Sequence, residues 1–314
     1  MAPKPSASAE QPSVVDVDGR ELKLSNLKKV LYPKAGFTKG EVVDYYAKVA
    51  PSLVPHLAGR ALTLRRFPEG VDDTEAAFFE KRCPKHRPKW VKTSRVLAGP
   101  NAGYIDFCVC DDRATLVWMA QLASIELHPS LSLSKKHERP TVLAFDLDPG
   151  PPAGILDCCE VAMRLREVLG HFEIECFAKT SGSKGMQIYA PLNTKTSYEE
   201  TRPFAQAIAQ IIAKQEPERI LAKMGKKTDR KGKILIDWYQ NNERKTTIAV
   251  YSLRAREQPT VSTPVTWKEI EKAVKKRDAE SLVFEATDVL KRIERHGDLF
   301  APVLDLKQKL PKIQ

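Results

Sequence analysis

The spacing of apolar residues predicts two helices in the first 140 residues. Glu41 follows Thr38 by three positions, and this pair has the form of a capping box at a helix start. Apolar residues then recur at helical spacing, namely Val42, Tyr45, Tyr46 and Val49. Residues 38–50 are therefore predicted to be helical, and the more apolar stretch 113–126 predicts a second helix.

After residue 140 the pattern predicts strands and helices in alternation. Strands are predicted at 141–148, 172–180, 186–192 and 234–238, and helices at 155–169 and 197–215. The inward face of the last helix is predicted to hold Phe204, Ala207, Ile208, Ile211 and Ile212. Strands and helices mixed in this way indicate an α+β or mixed α/β protein, with central sheets flanked by helices.

The composition indicates a folded domain with a tail at each end. The chain has 314 residues, of which 42% are hydrophobic and 29% charged, so it can bury a core and is not disordered throughout. Residues 1–13 are rich in Pro, Ser and Ala and predict a flexible tail. A single catalytic domain is expected over 14–302, followed by a Lys-rich surface tail at 303–314.

Membrane segments and paired cysteine motifs are both missing from the sequence. No apolar run reaches membrane-spanning length, and the first residues lack the apolar stretch of a secretory signal, so a soluble cytoplasmic protein is expected. The six cysteines include no C-x-x-C pair. Because most of them sit in apolar runs, neither a zinc site nor a disulfide framework is expected.

The excess positive charge is confined to two segments. The formal net charge is +11, yet segments 80–95 and 219–233 carry +6 each and the remaining residues sum to −1. Clustered Lys and Arg side chains release counterions when they bind a polyanion, so this distribution indicates a nucleic acid or another phosphate-rich partner. The alternative is that both segments are solvated surface loops.

Three aspartates on two predicted strands are candidate metal ligands. Asp146 and Asp148 alternate along one strand, so their carboxylates share a face, while Phe145 and Leu147 point to the other. Asp237 ends a second strand. Neighbouring carboxylates repel unless a cation lies between them, and hard divalent cations prefer oxygen ligands. The set can hold two cations for phosphoryl or nucleotidyl transfer, although strand-end aspartates also cap turns.

A Gly-Ser loop and several polar residues are candidate phosphate ligands. Residues 181–185 (SGSKG) lie between two predicted strands and offer N–H groups, the Ser181 hydroxyl and the Lys184 ammonium to an anion. The loop matches neither the Walker A pattern nor GxGxxG, and an ordinary hairpin is the alternative. Further candidates are His128, Gln240, Arg254 and Arg256. Alone, the two arginines fit a cross-strand salt bridge and His128 fits a capping or core position. Their occurrence together favours a polyphosphate site.

A series of short motifs follows a fixed order along the chain. They are N-L-K-K-V-L-Y-P (26–33), R-R-F-P-E-G (65–70), F-F-E-K (78–81), E-L-H-P (126–129), F-D-L-D-P-G (145–150), K-T-S-G-S-K-G (179–185), I-D-W (236–238), Y-S-L-R-A-R (251–256) and V-S-T-P-V-T-W (261–267). In order and spacing they resemble the polymerase domain of bacterial ligase D, from about residue 17 to about residue 300. That family belongs to the archaeo-eukaryotic primase superfamily and acts in non-homologous end joining.

The resemblance implies an activity, its cofactors and its site residues. It implies a primase-like core that adds ribo- or deoxyribonucleotides to a DNA primer 3′-hydroxyl, favouring short gaps with a downstream 5′-phosphate. Asp146, Asp148 and Asp237 match the family's metal triad, which implies two Mn²⁺ or Mg²⁺ ions. The nucleotide-binding positions are Arg65, His128, Ser181, Lys184, Gln187, Gln240 and Arg254. The 5′-phosphate positions are Asn26, Lys29 and Lys39, and the template-stacking positions are Phe78 and Phe79. Segment 80–95 matches a loop that helps hold two DNA ends together.

The chain departs from the family's pattern in two places. Relatives typically have Leu-His where this chain has Met186-Gln187; Gln187 can donate a hydrogen bond to a phosphate but carries no charge, so nucleotide affinity or its pH dependence is expected to differ. The chain also lacks the K-x-D-G ligase nucleophile. A stand-alone polymerase or one domain of a larger chain is expected, acting on gapped or broken DNA in the bacterial nucleoid, with a separate DNA ligase and an end-binding protein as partners.

Three other functions stay open on these residues. A primase that starts chains without a primer is compatible with the superfamily, and product analysis on an unprimed single strand distinguishes it. A catalytically silent DNA-end scaffold is a second alternative, against which the three aspartates argue. A nucleotide-sugar transferase that uses D-x-D is the third, and it leaves the two basic segments unexplained.

Overall fold

The fold is built around two large, mostly antiparallel β-sheets. The structure is a computed structural model that describes residues 12–99, 103–223 and 230–311. The strands are β1 (Ser13–Val17), β2 (Arg20–Leu24), β3 (Val30–Tyr32), β4 (Phe37–Thr38), β5 (Leu62–Arg66), β6 (Phe78–Glu80), β7 (Thr93–Gly99), β8 (Gly103–Cys108), β9 (Ser124–Pro129), β10 (Val142–Pro149), β11 (Phe177–Thr180), β12 (Met186–Pro191), β13 (Ile220–Leu221), β14 (Ile234–Asp237) and β15 (Pro264–Val265). The helices are α1 (Lys39–Leu57), α2 (Arg113–Gln121), α3 (Ile155–Gly170), α4 (Tyr198–Gln215), α5 (Trp267–Lys276), α6 (Ala286–His296) and α7 (Pro302–Asp305).

The six-stranded sheet has the order β13-β14-β10-β12-β11-β15, and its neighbours are antiparallel except for β13 and β14. Leu143, Phe145 and Leu147 of β10 are buried in a core that also holds apolar residues of α3 and α4. Val142 and Ala144 point to the opposite face and belong to a second core. Because side chains alternate along a strand, Asp146 and Asp148 share this second face.

The five-stranded sheet lies on the other side of the second core. Its order is β6-β5-β8-β7, and β9 also pairs with β5. Helices α1 and α2 pack together beside it, and α1 is tied to the later part of the chain. Tyr46 donates its hydroxyl to the carbonyl of Ile125 over 2.6 Å, and Tyr45 donates to the carbonyl of Tyr251 over 2.8 Å. The acidic face of β10 is therefore turned towards the strands that carry the remaining candidate residues.

The elements with capping signals form where the sequence predicts them. Thr38 and Glu41 form the expected capping box, and α1 continues to Leu57. The predicted strands at 141–148, 186–192 and 234–238 and the helices at 155–169 and 197–215 are confirmed within one or two residues. The mixed α/β class is confirmed as well.

Three predicted stretches differ from the structure. Helix α2 ends at Gln121 rather than 126, because Ala123 adopts φ 55° and the chain turns into β9. Only Phe177–Thr180 of the predicted strand 172–180 is extended, since residues 171–173 form a turn after α3. On α4, Phe204, Ile208 and Ile212 face inward as predicted, whereas Ala207 is partly exposed and Ile211 is 45% exposed.

The expectation of no disulfide is wrong for one pair of cysteines. Cys83 and Cys108 are joined, 25 positions apart, while the four others are free and buried. The backbone N–H of Cys83 donates to the carbonyl of Asp106 over 2.7 Å, so the start of segment 80–95 lies along β8. This long-range pairing leaves no local motif in the sequence.

Residues 303–308 are bonded to the rest of the fold. Val303 is buried, and the backbone N–H of Gln308 donates to the carbonyl of Leu192 over 2.9 Å. The domain boundary at 302 stays a prediction, and residues 1–11 and 312–314 lie outside the described residues. Within the described ranges, no helix is long and apolar enough to cross a membrane.

Candidate nucleotide and nucleic-acid site

A row of polar side chains crosses four strands of the six-stranded sheet. Asp146 of β10 pairs directly with Asp237 of β14 on one side and with Gln187 of β12 on the other, and Gln187 pairs with Lys179 of β11. Directly opposite residues point to the same face, with Cβ atoms about 5 Å apart. The strand register therefore brings Asp146 and Asp237 together, although more than 80 positions separate them in the sequence.

Burial and neighbouring charge act together on Asp146. Burial, with the charges of Asp237 and Asp148, raises the pKa of its carboxyl group to about 6, although a hydrogen bond from Gln187 and the charge of Lys179 oppose this rise. Such a group holds its proton more tightly than an exposed aspartate unless a cation lies beside it. Carboxylate oxygens that repel one another in this way are suitable ligands for a hard divalent cation.

The other two carboxylates are bonded to protein groups. Arg230 donates to Oδ2 of Asp148, and Asp237 accepts the backbone N–H of Tyr239 at 2.9 Å and Nε2 of Gln240 at 2.8 Å. Among the described residues, no three acidic, His or Cys side chains converge as a ready metal cluster. The strands bring the triad to one face, and each of these carboxylate oxygens keeps a further lone pair with which it can bind a cation.

The loop at 181–185 is closed by the Ser181 hydroxyl. Its Oγ accepts the backbone N–H groups of Ser183 and Gly185, each at 3.2 Å, so its own proton is left to donate to a ligand. Gly182 has φ +65°, and an added Cβ would lie 2.5 Å from the carbonyl carbon of Val261. The loop therefore requires glycine here, and Lys184 is exposed at its tip.

The loop at 181–185 lines a cavity of about 300 Å³ together with Asp146 and Asp148. Most of the predicted metal and nucleotide residues contribute to its wall: His128, Asp146, Asp148, Ser181, Lys184, Gln187, Gln240 and Arg254. Arg256 lines it as well, whereas Asp237 and Arg65 do not. Its size lies at the lower end of the range for small-ligand pockets. The wall therefore contains both carboxylates and basic side chains, which are the groups that bind metal ions and phosphates respectively.

Gln187 has partners within the protein. Its Oε1 accepts a hydrogen bond of 2.6 Å from Lys179, and its side chain donates to Asp146. Lys179 is fully buried and also donates to Ser262 Oγ over 2.7 Å and to the Ile248 carbonyl over 3.0 Å. Burial keeps the pKa of the Lys179 ammonium well below its usual range. Reasoning from the sequence gave Lys179 no role, although a lysine inside an otherwise buried strand was a usable signal.

A second group that the sequence analysis missed is Glu126, which lies between the cavity and β5. Its carboxylate accepts hydrogen bonds from Arg254 at 3.0 Å, from Arg65 at 3.3 Å and from the ring of His128 at 3.1 Å. Arg254 also donates to the carbonyl of Ser181. The predicted nucleotide-binding residues Arg65, His128 and Arg254 are therefore joined through a carboxylate to which the sequence assigned no role.

The predicted 5′-phosphate residues meet at the start of α1. The backbone N–H of Lys39 donates to the carbonyl of Lys29, and that of Lys29 donates to the carbonyl of Asn26. Lys39 Nζ donates to the carbonyl of Ser25 over 2.9 Å, and burial, followed by the charges of Lys29 and Arg66, lowers its pKa to about 8. Lys29 forms an ion pair of 2.6 Å with Glu69. Two ammonium groups at a helix N-terminus favour an anion.

Phe78 and Phe79 stand on the edge strand β6 and are 42% and 58% exposed. The guanidinium group of Arg66 lies 5.2 Å from the ring of Phe78, and that of Arg65 lies 5.2 Å from the ring of Phe79. The ring of Phe79 also meets His128 edge-on at 5.7 Å. Exposed rings backed by cations offer faces on which nucleic-acid bases stack.

The neighbouring basic segment 80–95 is described in full, whereas 224–229 of segment 219–233 lie outside the described residues.

Together, the fold and the site define a mixed α/β protein with acidic and basic side chains around one cavity of small-ligand size. Residues 38–300 match the family described as LigD, primase-polymerase domain, and the chain belongs to that family. The predicted resemblance is therefore confirmed. A solved structure, the polymerase domain from Mycobacterium tuberculosis ligase D in complex with DNA, is similar with a TM-score of 0.82 and 36% identity, covering 90% of this chain and 98% of that one.

Curated relatives are longer proteins. The multifunctional non-homologous end joining protein LigD of Mycolicibacterium smegmatis is 39% identical over 284 residues, which are 90% of this chain and 36% of that protein. The bifunctional non-homologous end joining protein LigD of Bacillus subtilis is 32% identical over 278 residues, which are 88% of this chain and 43% of that protein. The chain thus spans less than half the length of these relatives.

Proposed function

We propose that the protein is a metal-dependent, template-directed polymerase of DNA end joining or gap filling, which adds ribo- or deoxyribonucleotides to a primer 3′-hydroxyl. The observation that carries this proposal is the pairing of Asp146 with Asp237 on the face that lines the basic cavity. Family membership supports it, because relatives are named non-homologous end joining proteins. DNA ends or gaps and nucleoside triphosphates are the proposed substrates, and a DNA ligase and an end-binding protein are the proposed partners in the bacterial cytoplasm.

Asp146, Asp148 and Asp237 are the residues that would hold two divalent cations, Mn²⁺ or Mg²⁺. When bound there, such cations lower the pKa of the primer hydroxyl and neutralise the triphosphate and the departing pyrophosphate. Gln187 holds the Asp146 carboxylate in place, because its amide is itself fixed by buried Lys179. The protein's own part in the reaction is to keep these oxygens on one face, in line with the phosphates.

The basic wall of the cavity is proposed to bind the nucleotide. Lys184, the Ser181 hydroxyl and Arg254 face the β and γ phosphates, and their action is positioning together with charge stabilisation. His128 and Gln240 also line the cavity, and they are proposed to contact the sugar and phosphates of the incoming nucleotide. Arg65 does not line the cavity, and its contribution comes through its bond to Glu126.

The DNA contacts are proposed on the surface around the cavity. Asn26, Lys29 and Lys39 bind the 5′-phosphate of the downstream strand at a short gap. Phe78 and Phe79 stack on the template, and segment 80–95 neutralises backbone phosphates. This division assigns the choice of DNA end to a few side chains and the bulk affinity to the basic segment.

Replacement of Asp146 by Asn tests the proposal most simply. Primer extension with Mn²⁺ is expected to fall by roughly 10³-fold, because loss of a metal ligand removes several kcal/mol of transition-state stabilisation. Binding of the gapped DNA is expected to stay within about twofold. Asp44→Asn is the matched control, since Asp44 is an exposed α1 carboxylate paired only with Lys48 in the contacts described, and it should leave both quantities unchanged.

The same assay separates the alternative functions. If Asp146→Asn loses DNA binding but keeps extension, the metal assignment is wrong. If neither the wild type nor any variant extends a primer, the polymerase function is wrong and a catalytically silent DNA-end scaffold is favoured. Products on an unprimed single strand would instead identify a primase.

A further inference from the structure

Glu126 is a buried carboxylate placed among basic side chains. It lies in β9, and its side chain is only 2% exposed. Its Oε1 accepts the Nε–H of Arg254 at 3.0 Å and the backbone N–H of Ala255 at 3.1 Å. Its Oε2 accepts from Arg65 at 3.3 Å and lies 3.1 Å from Nε2 of His128. Four bonds to both oxygens account for the burial of a charge that is otherwise costly.

The partners of Glu126 reach two different parts of the site. Arg254 and His128 line the cavity, and Arg254 also donates a hydrogen bond to the carbonyl of Ser181 in the loop at 181–185. Arg65 extends the other way, with its guanidinium group 5.2 Å from the exposed ring of Phe79. Phe79 in turn meets the ring of His128 at 5.7 Å. One carboxylate therefore connects the cavity wall to an exposed aromatic surface.

The charges explain why a carboxylate is needed at this position. Burial, followed by the charges of Arg254 and Arg65, lowers the pKa of the Arg256 guanidinium, and the charge of Glu126 opposes this shift. Although burial opposes it, the hydrogen bonds and charges of His128 and Arg254 hold the pKa of Glu126 far below its usual range, so the carboxylate is ionised at neutral pH. Without that charge the guanidinium groups of Arg65 and Arg254 would repel each other and lose their common anchor.

We propose that Glu126 is a positioning residue for nucleotide binding, which holds Arg254 and His128 against the incoming triphosphate and couples them through Arg65 to the Phe79 surface. This inference rests on the proposed function of the same cavity. It predicts that loss of the carboxylate weakens the binding of nucleotide more than it slows the reaction of bound nucleotide.

The experiment compares Glu126→Gln with a carboxylate variant outside the site. Glu269 caps α5 and accepts two hydrogen bonds of 2.6 Å from Arg292, so Glu269→Gln removes a comparable structural ion pair. The dissociation constant of a ribonucleoside triphosphate with Mn²⁺ is measured by calorimetric titration. KM and kcat are measured by primer extension, and the melting temperature is recorded for each protein.

For Glu126→Gln, Kd and KM are expected to rise about tenfold or more, because hydrogen bonds to a charged group are removed, while kcat falls less than threefold. Glu269→Gln is expected to lower the melting temperature with KM within twofold of wild type. Glu126→Asp, which keeps the charge on a shorter side chain, should recover part of the affinity. It also serves as the test variant if Glu126→Gln does not fold.

Two results would overturn the inference. One is a Kd for Glu126→Gln within twofold of the wild-type value. The other is an equal rise in KM for Glu269→Gln, which would show a general effect of reduced stability. If the wild type binds nucleotide but extends no primer, the proposed function fails, and the titration still decides the role of Glu126.

Discussion

Lys39 is expected to make binding at the proposed 5′-phosphate site depend on pH. Burial, with help from the charges of Lys29 and Arg66, lowers its pKa to about 8. The ammonium group is therefore charged below that pH and loses its proton above it. A terminal phosphate has a second pKa of about 6 and is mostly ionised at pH 7, so the lysine accounts for most of the change in charge above that pH.

Preference for a 5′-phosphorylated gap is expected to weaken as the pH rises. The ratio of DNA dissociation constants without and with the 5′-phosphate should fall by roughly tenfold between pH 7 and pH 9.5, because one charge-assisted hydrogen bond disappears. Fluorescence anisotropy on the two DNAs measures this ratio. Lys39→Arg is the control, since guanidinium stays charged throughout and its ratio should be flat. A ratio for the wild type that does not change with pH would remove Lys39 from the phosphate pocket.

Single residues were predictable from the sequence where strand periodicity fixes the face. Asp146 and Asp148 share a face because they are two positions apart on a strand, and buried Phe145 and Leu147 confirm the alternation. The partnership of Asp146 with Asp237 needs the strand register, which no local pattern contains. The roles of Glu126 and Lys179 were not predicted, because each forms hydrogen bonds to residues more than 60 positions away in the sequence, Arg254 and Ile248 respectively.

Elements were predictable where a cap marks their start. The boxes at Thr38 and Ser197 each satisfy backbone N–H groups through local side chains, and α1 and α4 begin directly after them. The end of α2 was not predictable, because apolar residues continue past Gln121 into β9 without a Gly or Pro. Only Ala123, with φ 55°, marks the turn, and alanine gives no signal for it.

The basic segment 80–95 is expected to set the salt dependence of DNA binding. Arg82, Lys85 and Lys89 are exposed or partly exposed, so replacing all three by Gln should lower the slope of log K against log salt by roughly 0.9 for each DNA phosphate that they neutralise. Preference for the 5′-phosphate should persist. The control replaces the α5 lysines Lys272, Lys275 and Lys276 by Gln. Equal slopes for the wild type and the segment variant would contradict this division of labour.

The Cys83–Cys108 disulfide is expected to anchor the same segment. Alkylation of the unfolded, unreduced protein should label four cysteines, and alkylation after reduction should label six. In the chain-entropy picture, reduction should lower the free energy of unfolding by roughly 3 kcal/mol. The double variant Cys83→Ser/Cys108→Ser should be insensitive to reductant. Labelling of all six cysteines without reduction would show that the bond does not form.

Across the molecule, the site lies where two hydrophobic cores share a sheet. One face of β10 packs into the core with α3 and α4, and the other belongs to the core around α1 and α2. The sequence predicted the mixed class from its patterns, and the family's motifs predicted the type of fold. The strand order could not be predicted from periodicity, because period-two alternation states which side chains share a face and not which strands are neighbours.

In the proposed function, the acidic face of β10 and the residues Asn26, Lys29 and Lys39 at the start of α1 serve one reaction, which is extension of a primer at a short phosphorylated gap. The most direct measurement is extension by labelled ribonucleotides with Mn²⁺ on a one-nucleotide gap, with and without the downstream 5′-phosphate, for wild type and Asp146→Asn. We predict severalfold faster extension by the wild type when the phosphate is present, and extension roughly 10³-fold slower by the variant on either DNA. Equal wild-type rates on the two gaps, or extension by Asp146→Asn at a rate close to that of the wild type, would contradict the proposed function.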